Sequence, residues 1–163
     1  MKIRKIAGAL GAEISNVDLS AGLGAAQAGD IRQALLDHQV IFLREQDLTP
    51  RQFLDFAQAM GEPIEYPFVR GIEGFPQIIE VKKLENEKVN FGGVWHSDTT
   101  YLEVPPMGSM LLSREVPPYG GDTLFAHQQL AYEALSDTMK GLLDGLIGIS
   151  TSAKADVSRT RED

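Results

Sequence analysis

The chain has 163 residues, 43% of them apolar and 23% charged, a composition that supports one soluble, cored domain and excludes wholesale disorder. Its 15 Lys and Arg against 23 Asp and Glu leave a net charge of -8, which argues against the basic face of a nucleic-acid binder. There is no cysteine, so disulfide scaffolds, thiolate metal sites and cysteine nucleophiles are excluded. The opening MKIRKIAGALGAEIS lacks the apolar run of a signal peptide, and no stretch is apolar enough to span a bilayer. A cytoplasmic protein with neither membrane nor nucleic-acid partner is expected.

In chain order, KIRKIAG and AEISNVDLS alternate polar and apolar residues and predict a half-buried hairpin with Gly11 near its turn. From Ala25 to His38, the spacing of Ile31, Ala34, Leu35 and His38 predicts a helix. Val40-Ile41-Phe42-Leu43 predicts a buried strand. Thr49-Pro50-Arg51-Gln52 is a capping box with proline at the first helical position, opening a helix with Phe53, Phe56, Ala57 and Met60 on one face and Gly61 at its end. Beyond it, strands are expected at 77–81, 107–113 and 122–126, the last two separated by the turn Val116 to Gly121. Lys82 to Val94 reads as a loop with a Gly92-Gly93 hinge. A helix is expected from Gln128 to Leu146, with Met139, Leu142, Leu143 and Leu146 facing the core.

The chemistry is concentrated in Val94-Trp95-His96-Ser97-Asp98. In extended backbone alternate side chains share a face, so His96 and Asp98 can reach the same point. An imidazole nitrogen and a carboxylate oxygen together make two neighbouring corners of an octahedral metal site, as in the 2-His-1-carboxylate facial triad. His-x-Asp alone is a weak signal, and a surface histidine beside an acid is the plain alternative. The chain has only two other histidines, His38 and His127. His38 reads as a packed structural residue, and His127 as a residue at a strand-to-helix junction rather than a ligand. Trp95 is expected to pack behind the His96–Asp98 segment.

Six blocks lift that signal. Gly11-Ala12-Glu13-Ile14 with Asp18-Leu19-Ser20, His38 through Arg44, Asp47-Leu48-Thr49-Pro50 with Gly61-Glu62-Pro63, Trp95-His96-Ser97-Asp98, Pro117 through Thr123, and Ala131 through Ser136 occur in the order of one family. On these the chain resembles the N-terminal part of the taurine dioxygenase family of Fe(II)/2-oxoglutarate-dependent dioxygenases, which includes the 2,4-dichlorophenoxyacetate oxygenases. The resemblance implies an α/β (α+β) chain on a double-stranded β-helix, residues 1–163 forming the N-terminal part of a single catalytic domain. It implies that His96 and Asp98 are Fe(II) ligands and that the Thr123 hydroxyl binds the distal carboxylate of 2-oxoglutarate. The implied reaction hydroxylates a small organic molecule, taurine-like, a sulfonate or a carboxylate, with release of succinate and carbon dioxide. Tyr66, Val69 and Gly92 stand where taurine dioxygenase has polar substrate contacts. A pocket of that character would hold a taurine zwitterion poorly, so a different small anionic or organic substrate is expected.

In the family a distal histidine ligand and an arginine for 2-oxoglutarate both lie well beyond the position of Thr123. Neither occurs before Asp163, so the chain is expected to be a fragment with an incomplete barrel. The alternative is a truncated, non-catalytic remnant that binds a small molecule or a partner chain. A zinc hydrolase or cupin-like isomerase would need further histidines. An open barrel edge would favour a homo-oligomer.

Overall fold

The strand Ala12–Ser15 (β2) is the centre of a three-stranded sheet. Lys2–Lys5 (β1) pairs with it antiparallel, Arg4 opposite Glu13, and Ile41–Leu43 (β3) pairs with it parallel, Phe42 opposite Glu13. A computed structural model describes residues 1–86 and 93–153. The chain divides into two compact units: Met1–Asp47 with Leu111–Gly148, and Leu48–Met110 with the residues after Gly148.

In the first unit the predicted hairpin forms. Ile6 N–H donates to the Gly11 carbonyl at 3.1 Å, and Gly11 sits at φ +100°, a conformation that suits glycine. A parallel partner for β2 requires a crossover, and the helix Ala25–His38 (α1) provides it. It buries Ile31 and Ala34, two of the positions its spacing singles out. Gln39, at φ +62°, ends the helix, and Gly11 and Ala12 donate to the His38 and Val40 carbonyls, both at 2.9 Å, seating β3 beside β2. His38 is part-buried at the helix end, the structural role its place suggests. Ala12, Ile14, Leu19, Ile31 and Ala34 make the core of this unit. β3 is only part-buried rather than fully covered.

Polar contacts close the sheet. Glu13 takes Arg4 at 3.2 Å and Arg44 at 3.4 Å, and the Arg4 hydrogen bond leads the causes that hold its carboxyl below the ordinary carboxylate value. Gln46 accepts from Leu19 N–H at 2.9 Å and donates to the Val17 and Arg44 carbonyls. That three-way clip fastens the turn after β2 to the chain leaving β3.

The second part of the same unit departs from expectation. The region expected as one helix is two, Gln128–Glu133 (α2) and Asp137–Leu143 (α3), because Ser136 caps the second by accepting from Met139 N–H. Met139, Leu142, Leu143 and Leu146 are exposed rather than in a core, Leu146 by 66%. Helical spacing predicts that apolar residues share a face; it does not supply the surface that covers them. The segments 107–113 and 122–126 are not strands, because none of the described residues offers them the row of partner groups a ladder requires.

In the second unit Thr49 caps the helix Pro50–Met60 (α4) with the predicted capping box, both arms present, and Gly61 follows its end. Leu54 and Met60 are buried, while Phe53, Phe56 and Ala57 are part-buried. After α4 the backbone is irregular. Residues 77–81 are not a strand; the pairing here is a single bridge between Ile72 and Phe75. Gly71 packs so closely on the Pro76 carbonyl that a Cβ would lie 2.3 Å from its oxygen, which fixes this turn on glycine. Among the described residues no helix is long and apolar enough to cross a membrane.

Candidate metal centre

The segment Val94 to Asp98 is irregular chain running into a turn, not a strand, yet the spacing of two still turns both side chains to one point. His96 Nε2 lies 3.0 Å from Asp98 Oδ1, and both side chains are about half exposed, 49% and 55%. The other polar atom of each is already engaged. His96 Nδ1 lies 2.7 Å from the Val94 carbonyl oxygen, and Asp98 Oδ2 accepts from the Ser109 hydroxyl at 2.6 Å. A carbonyl oxygen can only accept, so the ring proton belongs on Nδ1 and points at Val94. Nε2 then meets an anionic oxygen, and that contact needs a positive centre between the two atoms: a second ring proton or a metal cation.

The donor set fits a metal. Two ligand atoms at right angles and about 2.1 Å from one cation are about 3.0 Å apart, the separation observed here. Metal-bound histidines characteristically give their other N–H to a carbonyl or carboxylate, which fixes the tautomer and turns the lone pair toward the metal. The Val94 contact does this for His96. Among the described residues no group of three His, Cys, Asp or Glu side chains gathers at one point, so the pair stands without a third ligand there.

Tyr66, Phe68 and Tyr101 gather in the same unit. The Phe68 ring lies 5.8 Å from that of Tyr66, edge-on, and 5.9 Å from that of Tyr101. Burial pushes the Tyr66 phenol up to about 12, with the nearby Tyr101 hydroxyl and the Asp98 carboxylate adding to the rise. The Thr99 hydroxyl oxygen is buried without a hydrogen-bond partner among the described residues, and the Tyr101 hydroxyl is buried beside the Tyr66 phenol.

The remaining predicted residues are placed as follows. Val69 is part-buried in the same unit as the pair. Gly92 lies outside the described residues, as do residues 87–91 of the loop assigned to its hinge. Thr123 belongs to the first unit; it is exposed and follows Gly120 and Gly121, whose φ of +80° and +71° make the expected turn. His127 caps α2, its Nδ1 accepting from Leu130 N–H at 3.2 Å, which is the junction role expected of it. Trp95 is 70% exposed, so it does not pack behind the segment. Sequence reasoning missed Ser109, Thr99 and Tyr101. Ser109 lies 11 positions from its partner and carries no local signal, whereas Thr99 and Tyr101 could have been found by following the turn just past Asp98.

Comparison with known proteins places the chain in a family. The family model described as "Taurine catabolism dioxygenase TauD, TfdA family" matches residues 2–162. The chain belongs to that family. It is 34% identical to the alpha-ketoglutarate-dependent sulfate ester dioxygenase of Pseudomonas putida, over 93% of this chain and 50% of that protein. It is 33% identical to the alkylsulfatase of Acinetobacter baylyi, over 93% of this chain and 47% of that protein. A taurine dioxygenase crystal structure from Burkholderia xenovorans superimposes with a TM-score of 0.74 at 35% identity, covering 88% of this chain and 51% of that one. The chain thus spans about half the length of the relatives it matches.

Proposed function

We propose that residues 1–163 are the N-terminal part of a single double-stranded β-helix domain that works as an Fe(II)- and 2-oxoglutarate-dependent dioxygenase. Its substrate is a small organic anion, a sulfonate, a sulfate ester or a carboxylate, and succinate and carbon dioxide are released with the hydroxylated product. The observation that carries this reading is the His96–Asp98 pair, with 3.0 Å between the facing atoms and the outer atom of each side chain held by Val94 and Ser109.

His96 and Asp98 would hold the iron. When bound, iron and 2-oxoglutarate together supply the oxidising power for attack on a C–H bond. The protein's own contribution is positional. Val94 fixes the imidazole tautomer, Ser109 turns Oδ1 of Asp98 toward His96, and the Tyr66–Phe68–Tyr101 cluster gives the substrate an aromatic wall. Thr123 would donate its hydroxyl to the distal carboxylate of 2-oxoglutarate. In this reading the third iron ligand and the strands that pair with residues 107–113 and 122–126 come from the portion of the family that this chain does not span.

Anaerobic addition of Fe(II) and 2-oxoglutarate, to this chain and to one extended at its C-terminus, tests the reading. The extended chain should develop a visible charge-transfer band and, on aeration, form succinate. Failure of the extended chain to do either would refute it.

A second reading is a non-catalytic chain that binds a small molecule or a partner, a second copy of itself included. The exposure of Leu111, Leu124, Leu146, Ile147 and Ile149 favours it, since single-chain proteins rarely leave so much apolar surface open. Chain association without metal binding in the same experiment would select it.

A further inference from the structure

The second unit contains a cleft that the metal reading leaves unused. Residues 71–78 form a loop closed by backbone hydrogen bonds: Ile72 N–H donates to the Ile78 carbonyl at 2.8 Å, and Phe75 N–H to Ile72 and Ile78 N–H to Phe75, both at 3.0 Å. Gly74, the third residue of the turn Ile72 to Phe75, sits at φ +77°, where glycine is favoured. Gly71 lies so close to the Pro76 backbone that no side chain fits between them. The backbone is thereby held in one shape, and it walls a cavity of about 390 Å³ lined by Arg70, Gly71, Ile72, Glu73, Gly74 and Pro76. Small-molecule sites occupy roughly 300–1,000 Å³, so the cleft is large enough for one.

Two opposite charges stand in this cleft without meeting. The Arg70 guanidinium and the Glu73 carboxylate line the same cavity, and among the described residues neither makes an ion pair or a side-chain hydrogen bond. Opposite charges this near in sequence ordinarily gain by pairing with each other; here the closed turn that begins at Ile72 separates them. An anion alone would meet Glu73 as well as Arg70, a cation alone would meet the reverse, and a neutral molecule would gain from neither. We propose that the cleft binds a small zwitterion, an ammonium and a carboxylate joined by a short carbon chain, with its carboxylate on Arg70 and its ammonium on Glu73. The planar guanidinium takes a carboxylate through two parallel hydrogen bonds, and the Glu73 oxygens accept from the ammonium. Ile72 and Pro76 give the carbon chain apolar contact. None of the lining residues belongs to the His96–Asp98 site, so the proposal needs neither the metal nor the dioxygenase reading.

The test is calorimetric titration of glycine, β-alanine, γ-aminobutyrate and ε-aminohexanoate into the 163-residue chain, with butyrate and butylamine as singly charged controls. At least one of the zwitterions should bind about tenfold more tightly than either control, equally with and without Mn(II). Arg70→Gln and Glu73→Gln should each lose about tenfold of that affinity, with circular dichroism unchanged. The exchanged chain, carrying Arg70→Glu and Glu73→Arg together, should regain most of the loss, because a zwitterion can turn round; a merely structural defect would not be rescued in this way. Absence of binding by every zwitterion, or controls that bind as well as the zwitterions do, overturns the proposal. So does an affinity that neither single variant lowers, that the exchange fails to restore, or that requires Mn(II).

Discussion

The Ser109 hydroxyl holds Oδ2 of Asp98 at 2.6 Å and so leaves Oδ1 as the oxygen that faces His96. Carboxylates rotate easily when one oxygen is free, and a metal bound through the other then loses its fixed direction. Outer partners of this kind are worth about 10- to 100-fold in metal affinity. Ser109→Ala should weaken Mn(II) binding by about tenfold, while circular dichroism stays unchanged because Ser109 is exposed. Unaltered affinity would remove Ser109 from the site.

α4 begins at a capping box in which Thr49 Oγ1 accepts from Gln52 N–H at 3.3 Å and Gln52 Oε1 accepts from Thr49 N–H at 2.9 Å. Loss of such a cap costs about 1 kcal/mol. Thr49→Ala should lower stability by that amount in a denaturant titration, and Thr49→Ser should restore most of it. A smaller loss than a few tenths would mean that water replaces the cap.

Glu13 lies between Arg4 and Arg44, and its carboxyl titrates below its ordinary value of 4.5, first because of the Arg4 hydrogen bond. In the window below that value the unfolded chain binds a proton that the folded chain does not. Stability therefore rises with pH through the window, is fully present above 4.5, and is lost as pH falls through the folded value. Glu13 is part-buried but both arginine side chains are largely exposed, so the effect is small and salt-sensitive. Glu13→Gln should flatten the acid limb of the melting-temperature profile; an unchanged limb would show that other carboxylates set it.

The elements legible in the sequence are those whose signals are local. Alternation gave β1 and β2, the Ile31–Ala34 spacing gave α1, and Thr49 with Gln52 gave the start of α4. The His96–Asp98 pair was legible for the same reason, since two side chains two positions apart need only suitable backbone between them to meet. What remained hidden depends on residues distant in the chain. Gln46 clips Val17 and Leu19 from 29 and 27 positions away, and Ser109 reaches Asp98 from 11. The expected strands at 107–113 and 122–126 have strand composition, but pairing is a property of two segments and neither finds its partner among the described residues. Of the apolar positions expected on one face, Met139, Leu142 and Leu143 lie on α3 and Leu146 beyond its end, and all four are exposed, because periodicity carries no information about the covering surface.

The central claim is that His96 and Asp98 converge on one divalent cation. Calorimetric titration of Mn(II) into the 163-residue chain, its His96→Ala variant and its Asp98→Ala variant measures this directly, with circular dichroism to show that all three keep the same fold. One site in the native chain, weakened at least tenfold in each variant, is the predicted result. Mn(II) affinity that is the same in all three chains would contradict it.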